Sequence, residues 1–227
     1  MPTKQPSDVE LYLKRETNPI RKALESASRY FDGNDSLAVN TLEAVYAQES
    51  SFGKQLGMRG SANAAGHFQL KANTAKQYGL HISKKNDQRF DIDYASSAAA
   101  RYLKDLDTFF SKTTTLIKGS TTVAVNDPLE RKKFVLGAFN AGQRRLASAQ
   151  HLAEKAGENP RLWSDVEKYL TDETRHYIPK VLSYEDEFAV KSPLNKTVKQ
   201  KATRGRKYRC TEGHWRTIDG RSVFICD

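Results

Sequence analysis

Apolar residues recur along this chain mostly at helical spacing rather than in the alternation of strands. Leu42, Val45, Tyr46 and Glu49 fall on one stripe of a helix that Asp35 or Ser36 can cap and that runs to about Glu49. Ala99, Tyr102, Leu103, Leu106, Phe109 and Phe110 predict a long amphipathic helix, and Phe134 to Phe139 begins a buried one. A further helix is expected from Leu162 to Leu170. A last one places Tyr177, Val181, Tyr184 and Phe188 on a single side. Before all of these, Val9 to Phe31 reads as helix interrupted near Pro19. The predicted core is mainly α, and its length suits one good-sized hydrophobic centre.

Breaks in this pattern divide the chain. After Glu49 comes a loop dense in Gly and Ala (Gly53, Gly57, Gly60, Ala62, Ala64, Ala65, Gly66). A short apolar piece at Phe68 and Leu70 follows, then a helical turn or two from Asn73 to Tyr78. Thr113 to Val125, rich in Thr and Val, predicts a loop or an edge hairpin. Lys191 to Arg209 holds eight basic residues, no acids and few apolar ones, which is a linker composition. Beyond it, Trp215 to Ile218 and Arg221 to Ile225 flank Asp219-Gly220, a two-residue hairpin signal. The expected organisation is a helical lead-in over 1–35, a helical domain over 36–190, a basic linker over 191–209 and a small β-hairpin over 210–227.

Charge sharpens that division. Of the net charge of +10, seven units lie from Lys191 onward, where ten basic residues face three acidic ones. Such a tail suits nucleic acid, anionic lipid, anionic wall polymers, a phage particle or a secretion machine. Only Tyr208 lies near the basic run and no stacking platform is evident, which disfavours nucleic acid. Both cysteines, Cys210 and Cys226, also lie there. A bond between them would stabilise a lone hairpin by about 3 kcal/mol through chain entropy. A zinc site built on these two and His214 lacks a fourth ligand, so no metal is expected, and no cofactor. No stretch approaches the length of a membrane-spanning helix. Met1 to Glu10 lacks the apolar core of a secretory signal, so an export route is not written in the chain.

The candidate chemistry centres on Glu49. The next acid after it is Asp87, so the carboxyl group stands alone in sequence, ahead of a small-residue loop. A carboxyl on the apolar side of a helix either pairs with a base or has a raised pKa and a proton to donate.

Four segments carry a resemblance. Glu49-Ser50-Ser51-Phe52 matches a Glu-Ser helix end, and Asn63 to Leu70 (NAAGHFQL) matches in outline a Gly-x-x-Gly-x-x-Gln segment. Ala138-Phe139-Asn140-Ala141-Gly142 matches an Ala-x-Tyr-Asn-Ala-Gly-like element, and Tyr177-Ile178-Pro179-Lys180-Val181-Leu182 matches a late Tyr-x-x-Lys-Val-Leu. In that order and spacing, residues 36–190 resemble the soluble lytic transglycosylases, lysozyme-like enzymes that cut peptidoglycan glycan strands. Phe139 stands where Tyr is usual, Phe68 where Met is common, and Ala95 near where an Asn often stands.

The resemblance implies Glu49 as the catalytic acid and Ser50, Gly66, Gln69, Asn140 and Tyr177 as substrate-binding residues. Ser50 would orient the Glu49 carboxylate or hold an acetamido group, or else cap the helix. Gln69 can both donate to and accept from an acetamido group, and Gly66 would permit close backbone approach to the glycan. Asn140 would bind sugar or cap its helix. Tyr177 would hydrogen-bond Glu49 or the acetamido oxygen. Most retaining glycosidases use two carboxylates about 5 Å apart, but a substrate that brings its own nucleophile needs one protein acid. The implied reaction cleaves the MurNAc-GlcNAc β-1,4 bond and leaves 1,6-anhydroMurNAc ends, with the enzyme acting in the periplasm or cell wall. Two other readings stay open: a goose-type hydrolase with an added acid from Asp87, Asp91 or Asp93, and an inactive wall-binding or virion structural module.

Overall fold

The computed structural model describes residues 5–32, 36–57, 63–116 and 120–194, and the backbone of two strands at 213–218 and 221–226. The chain divides into two compact units, Met1–Ser192 and Pro193–Asp227. Among the described residues, no helix is long and apolar enough to cross a membrane.

In the first unit the lead-in folds as α1 (Asp8–Arg15) and α2 (Asn18–Ala27). A Ser7 capping box opens α1, with Glu10 reaching back to the Ser7 amide. Thr17 caps α2, with Pro19 in its first turn, where a missing N–H costs nothing. These helices belong to the same unit as the rest: α1 lies on the last helix, and α2 lies on the central and fifth helices.

The central helix, α3 (Val39–Ser50), is enclosed on nearly every side, with Leu42, Ala44, Val45 and Tyr46 fully buried. It starts later than the capping signal implied. Asp35 lies outside the described residues, and Ser36 makes no cap. The turn is closed instead by Thr41 Oγ1, which accepts from the Ala38 amide at 3.0 Å.

A short α4 (Ala72–Gln77) leads to α5 (Ile92–Ser111), whose first turn is capped by Asp91. In the Thr- and Val-rich segment after α5, Thr115 bridges Thr121 in antiparallel fashion and the Thr122 amide donates to the Thr114 carbonyl at 2.9 Å. Helix α6 (Pro128–Ala141) is capped by Asp127. Gly142, at φ +92°, then redirects the chain into α7 (Gln143–Lys155). The expected helix from Leu162 to Leu170 is only one α-turn, α8 (Trp163–Val166), continued as a 3-10 turn. The final helix, α9 (Asp172–Lys191), runs through Pro179.

α9 packs along α3, α6 lies between α5 and α9, and α7 covers α6. Buried polar links fix these contacts. Arg131 of α6 pairs with Asp107 of α5 at 2.7 Å, and Lys132 of α6 pairs with Glu185 of α9 at 2.7 Å. Glu185 also accepts from Thr41 of α3. The body reaches past the expected start of the linker. Lys191 still ends α9 and holds Glu10 and Glu187, while Ser192 is fully buried.

In the second unit, β1 (Gly213–Ile218) pairs antiparallel with β2 (Arg221–Cys226), Gly213 opposite Cys226 and Ile218 opposite Arg221. The 195–209 stretch, Cys210 and the Asp219-Gly220 turn lie outside the described residues, as do the side chains of both strands, and with them the expected disulfide and zinc readings.

Candidate active site

The site is built where α3 stops. Ser51, Phe52 and Gly53 all have positive φ (52°, 57° and 82°), so the helix ends in a tight left-handed turn. Ser50 locks that turn from inside the protein. Its hydroxyl donates to the Tyr46 carbonyl at 3.2 Å and accepts from the Gly53 amide at 3.0 Å. Phe52 is driven into an aromatic cluster with Tyr12, Tyr46 and Phe188, at centroid distances of 5.9, 4.7 and 5.8 Å. With Phe52 and Ser50 anchored inward, Glu49 and Gln48 are left half-buried on the wall of a groove of about 1260 Å³.

Far from Glu49 in sequence but packed on α3 in space lies α9. Tyr177 is 5% exposed and its hydroxyl donates to Glu49 Oε1 at 2.7 Å. Burial, then the charge of Glu49 and the hydrogen bond to it, hold the phenol far above its ordinary pKa, so it remains a donor. Asn140, at the end of α6, is oriented from both sides. Its Oδ1 accepts from Thr174 at 2.8 Å and its Nδ2 donates to Glu173 at 3.3 Å. Tyr102 and Phe139, with centroids 5.3 Å apart, also line the groove; burial pushes the Tyr102 phenol up to about 12.

Gln69 reaches the groove from the loop after α3, at φ +45°. Its amide nitrogen donates to the Gly66 carbonyl at 2.9 Å and the Gly57 carbonyl at 3.2 Å, which fixes the amide orientation. Its buried Oε1 has no donor. Arg89 holds this loop, donating to the carbonyls of Asn63 (2.7 Å) and Leu70 (3.0 Å) while paired with Asp87 at 2.6 Å. That pairing keeps the Asp87 carboxyl below its usual range.

Of the six residues expected from sequence, Glu49, Gln69, Asn140 and Tyr177 line one groove, whereas Ser50 and Gly66 do not. Ser50 is fully buried, engaged by its own turn. Gly66 permits a close approach, but to the protein itself: a Cβ there would stand 1.9 Å from the Arg89 carbonyl oxygen. Two groups escaped the sequence reading. Glu173 lines the groove as a second carboxylate, legible only once α9 is packed against α6. Glu43, also on α3, is fully buried and accepts from Ser192 at 2.5 Å; burial pushes its pKa up to about 8, opposed by that bond and aided by the Glu16 charge. Among the acids proposed to fold back, Asp87 is held by Arg89 and Asp91 caps α5. Asp93 lines a separate crevice with Ala23 and Tyr30.

The family description "Transglycosylase SLT domain" matches residues 28–161, more than half of the sequence. The chain belongs to the transglycosylase SLT-domain family. Among its relatives, the membrane-bound lytic murein transglycosylase F of Pseudomonas fluorescens is 33% identical over 154 residues, 66% of this chain and 28% of that protein. The membrane-bound lytic murein transglycosylase D of Escherichia coli K12 is 30% identical over 125 residues, 55% of this chain and 23% of that protein. This chain therefore spans about a quarter of the length of these relatives. The 70 kDa soluble lytic transglycosylase of Escherichia coli superposes on 79% of this chain and 25% of its own at a TM-score of 0.54 and 20% identity, which establishes the mainly helical fold. Tyr177 and α9 lie beyond the family match, yet they complete the groove around Glu49.

Proposed function

We propose that this chain is a peptidoglycan lytic transglycosylase that cleaves the MurNAc-GlcNAc β-1,4 bond with Glu49 as its one proton-transferring acid. The observation that carries this reading is the placement of Glu49 on the wall of the long groove, bonded by Tyr177 and facing the same space as Gln69 and Asn140. Relatives named as lytic murein transglycosylases support it.

In the proposed reaction Glu49 gives its proton to the glycosidic oxygen as the bond from C1 breaks. The carbonyl oxygen of the 2-acetamido group bonds to C1 and forms an oxazolinium. The C6 hydroxyl oxygen then attacks C1, the acetamido oxygen departs, and Glu49 takes the hydroxyl proton. The product is a 1,6-anhydroMurNAc end, and Glu49 is again protonated. Tyr177 holds one carboxyl oxygen in place through both steps. Gln69 Oε1, a buried acceptor without a donor, suits an acetamido N–H after a small local shift.

Glu173 favours one second reading, in which a further groove carboxylate positions water and the enzyme hydrolyses. Mass spectrometry of muropeptides released from purified sacculi decides between them. Anhydro ends support the transglycosylase, and reducing ends heavier by one water support the hydrolase. Release by Glu49→Gln at the parent rate would remove both.

A further inference from the structure

We propose that Arg144 and Arg145, at the start of α7, form a carboxylate-binding edge of the groove that reads acidic groups pendant on the glycan. This inference rests on the proposed glycan reading of the groove and names what else the groove recognises.

The charge pattern carries it. Lys71, Arg144, Arg145, His176 and Lys180, all exposed, line the groove together, and among the described residues no carboxylate pairs with Lys71, Arg144, Arg145 or Lys180. The two groove acids are engaged otherwise, Glu49 by Tyr177 and Glu173 by Asn140.

Local structure gives no reason for this clustering. Arg144 and Arg145 occupy the first turn of a 13-residue helix, which has no acidic residue there and no side-chain cap at Gly142. Cations at that end oppose the helix dipole. An anion from solution relieves that penalty. Guanidinium is also the side chain best matched to a carboxylate, through paired N–H donors.

A sugar backbone of N-acetylated units is neutral, so the anion must be a substituent. In peptidoglycan the candidates share one chemistry: the carboxylates of stem peptides, or the lactyl carboxylate left where a stem has been removed. A neutral chitin oligomer offers neither.

The test uses the full chain carrying Glu49→Gln, so that strands remain intact, with and without Arg144→Gln/Arg145→Gln. Affinity is measured for stem-bearing glycan strands, amidase-stripped strands and chitohexaose. Removing both arginines should weaken stem-bearing strands by about three- to tenfold at low salt. The difference should shrink as ionic strength rises, and chitohexaose affinity should stay the same. An equal loss on stripped strands means that either carboxylate satisfies the edge, a loss confined to stripped strands assigns it to the lactyl group, and no loss there assigns it to the stem peptide. Lys155→Gln, at the far end of α7, controls for net charge, and an unchanged or higher Tm for the double variant excludes misfolding. Equal losses on all three ligands, or none on the acidic ones, would overturn the proposal while leaving the glycan reading intact. Failure of every ligand to bind the Glu49→Gln parent would instead overturn that reading, and this inference with it.

Discussion

Two acids lie six residues apart on α3, and replacing each by glutamine should have opposite consequences. Glu43 is the informative one for stability. Its carboxyl is fully buried, with Oε1 bonded to Ser192 and Oε2 without a partner. Burial raises its pKa from 4.5 to about 8. Below pH 4.5 the group is protonated in both folded and unfolded chains and contributes no pH dependence. Between 4.5 and 8 the folded chain keeps a proton that the unfolded chain has released, so stability falls as pH rises through that window and levels off above it. At 1.36 kcal/mol per pH unit, the loss between pH 5 and pH 8 is about 4 kcal/mol. Glutamine cannot ionise, and it keeps an acceptor for Ser192. Its spare N–H has no partner, a cost that is the same at every pH. Urea unfolding of the parent and of Glu43→Gln at pH 5, 6, 7 and 8 should therefore show the variant gaining about 4 kcal/mol relative to the parent across the series. Groups common to both chains cancel in that difference. A gap constant to within about 1 kcal/mol would refute the reasoning, because the carboxyl would then be no more protonated in the folded chain than in the unfolded one.

Tyr177→Phe keeps the buried ring and removes only the donor to Glu49. Losing a hydrogen bond to a carboxylate costs about 1.5 kcal/mol or more, so turnover on purified sacculi should fall at least about tenfold. Unaltered turnover with a correctly folded variant would detach Tyr177 from the chemistry. Gly66→Ala puts a Cβ 1.9 Å from the Arg89 carbonyl at φ +79° and should cost about 2–4 kcal/mol. Calorimetry should record a Tm lowered by about 5–15 °C; a drop of less than about 2 °C would mean that the loop moves aside freely.

Helical periodicity alone was enough to place α5 and α9, because each buries one continuous stripe against neighbours and leaves the other side to solvent. The Asn63–Leu70 segment, the Asn140 turn and Tyr177 were legible as motifs, since side-chain type and spacing are local properties. The start of α3 was not. An Asp-Ser pair is a good cap in isolation, but the chain there is fixed by Thr41, which also serves Glu185 on a helix 144 residues away. α7 escaped the pattern because it has small buried residues, Ala147, Ala149 and Ala153, among many polar ones, which give little periodic contrast.

The sequence by itself determined the mainly helical class, the solitary Glu49 and the order of the four motifs around it. Which of those residues meet was decided only by tertiary packing. Ser50 and Gly66 are adjacent to groove residues in the chain, yet one points into the left-handed turn and the other backs onto Arg89. Glu173 and the paired arginines are ordinary surface residues in sequence. They become part of a groove only because α6, α7 and α9 converge on the end of α3. The same packing separates two acids of one helix: Glu43 is sealed from water with its proton, and Glu49 opens onto the groove. Burial, which no local pattern encodes, makes that difference.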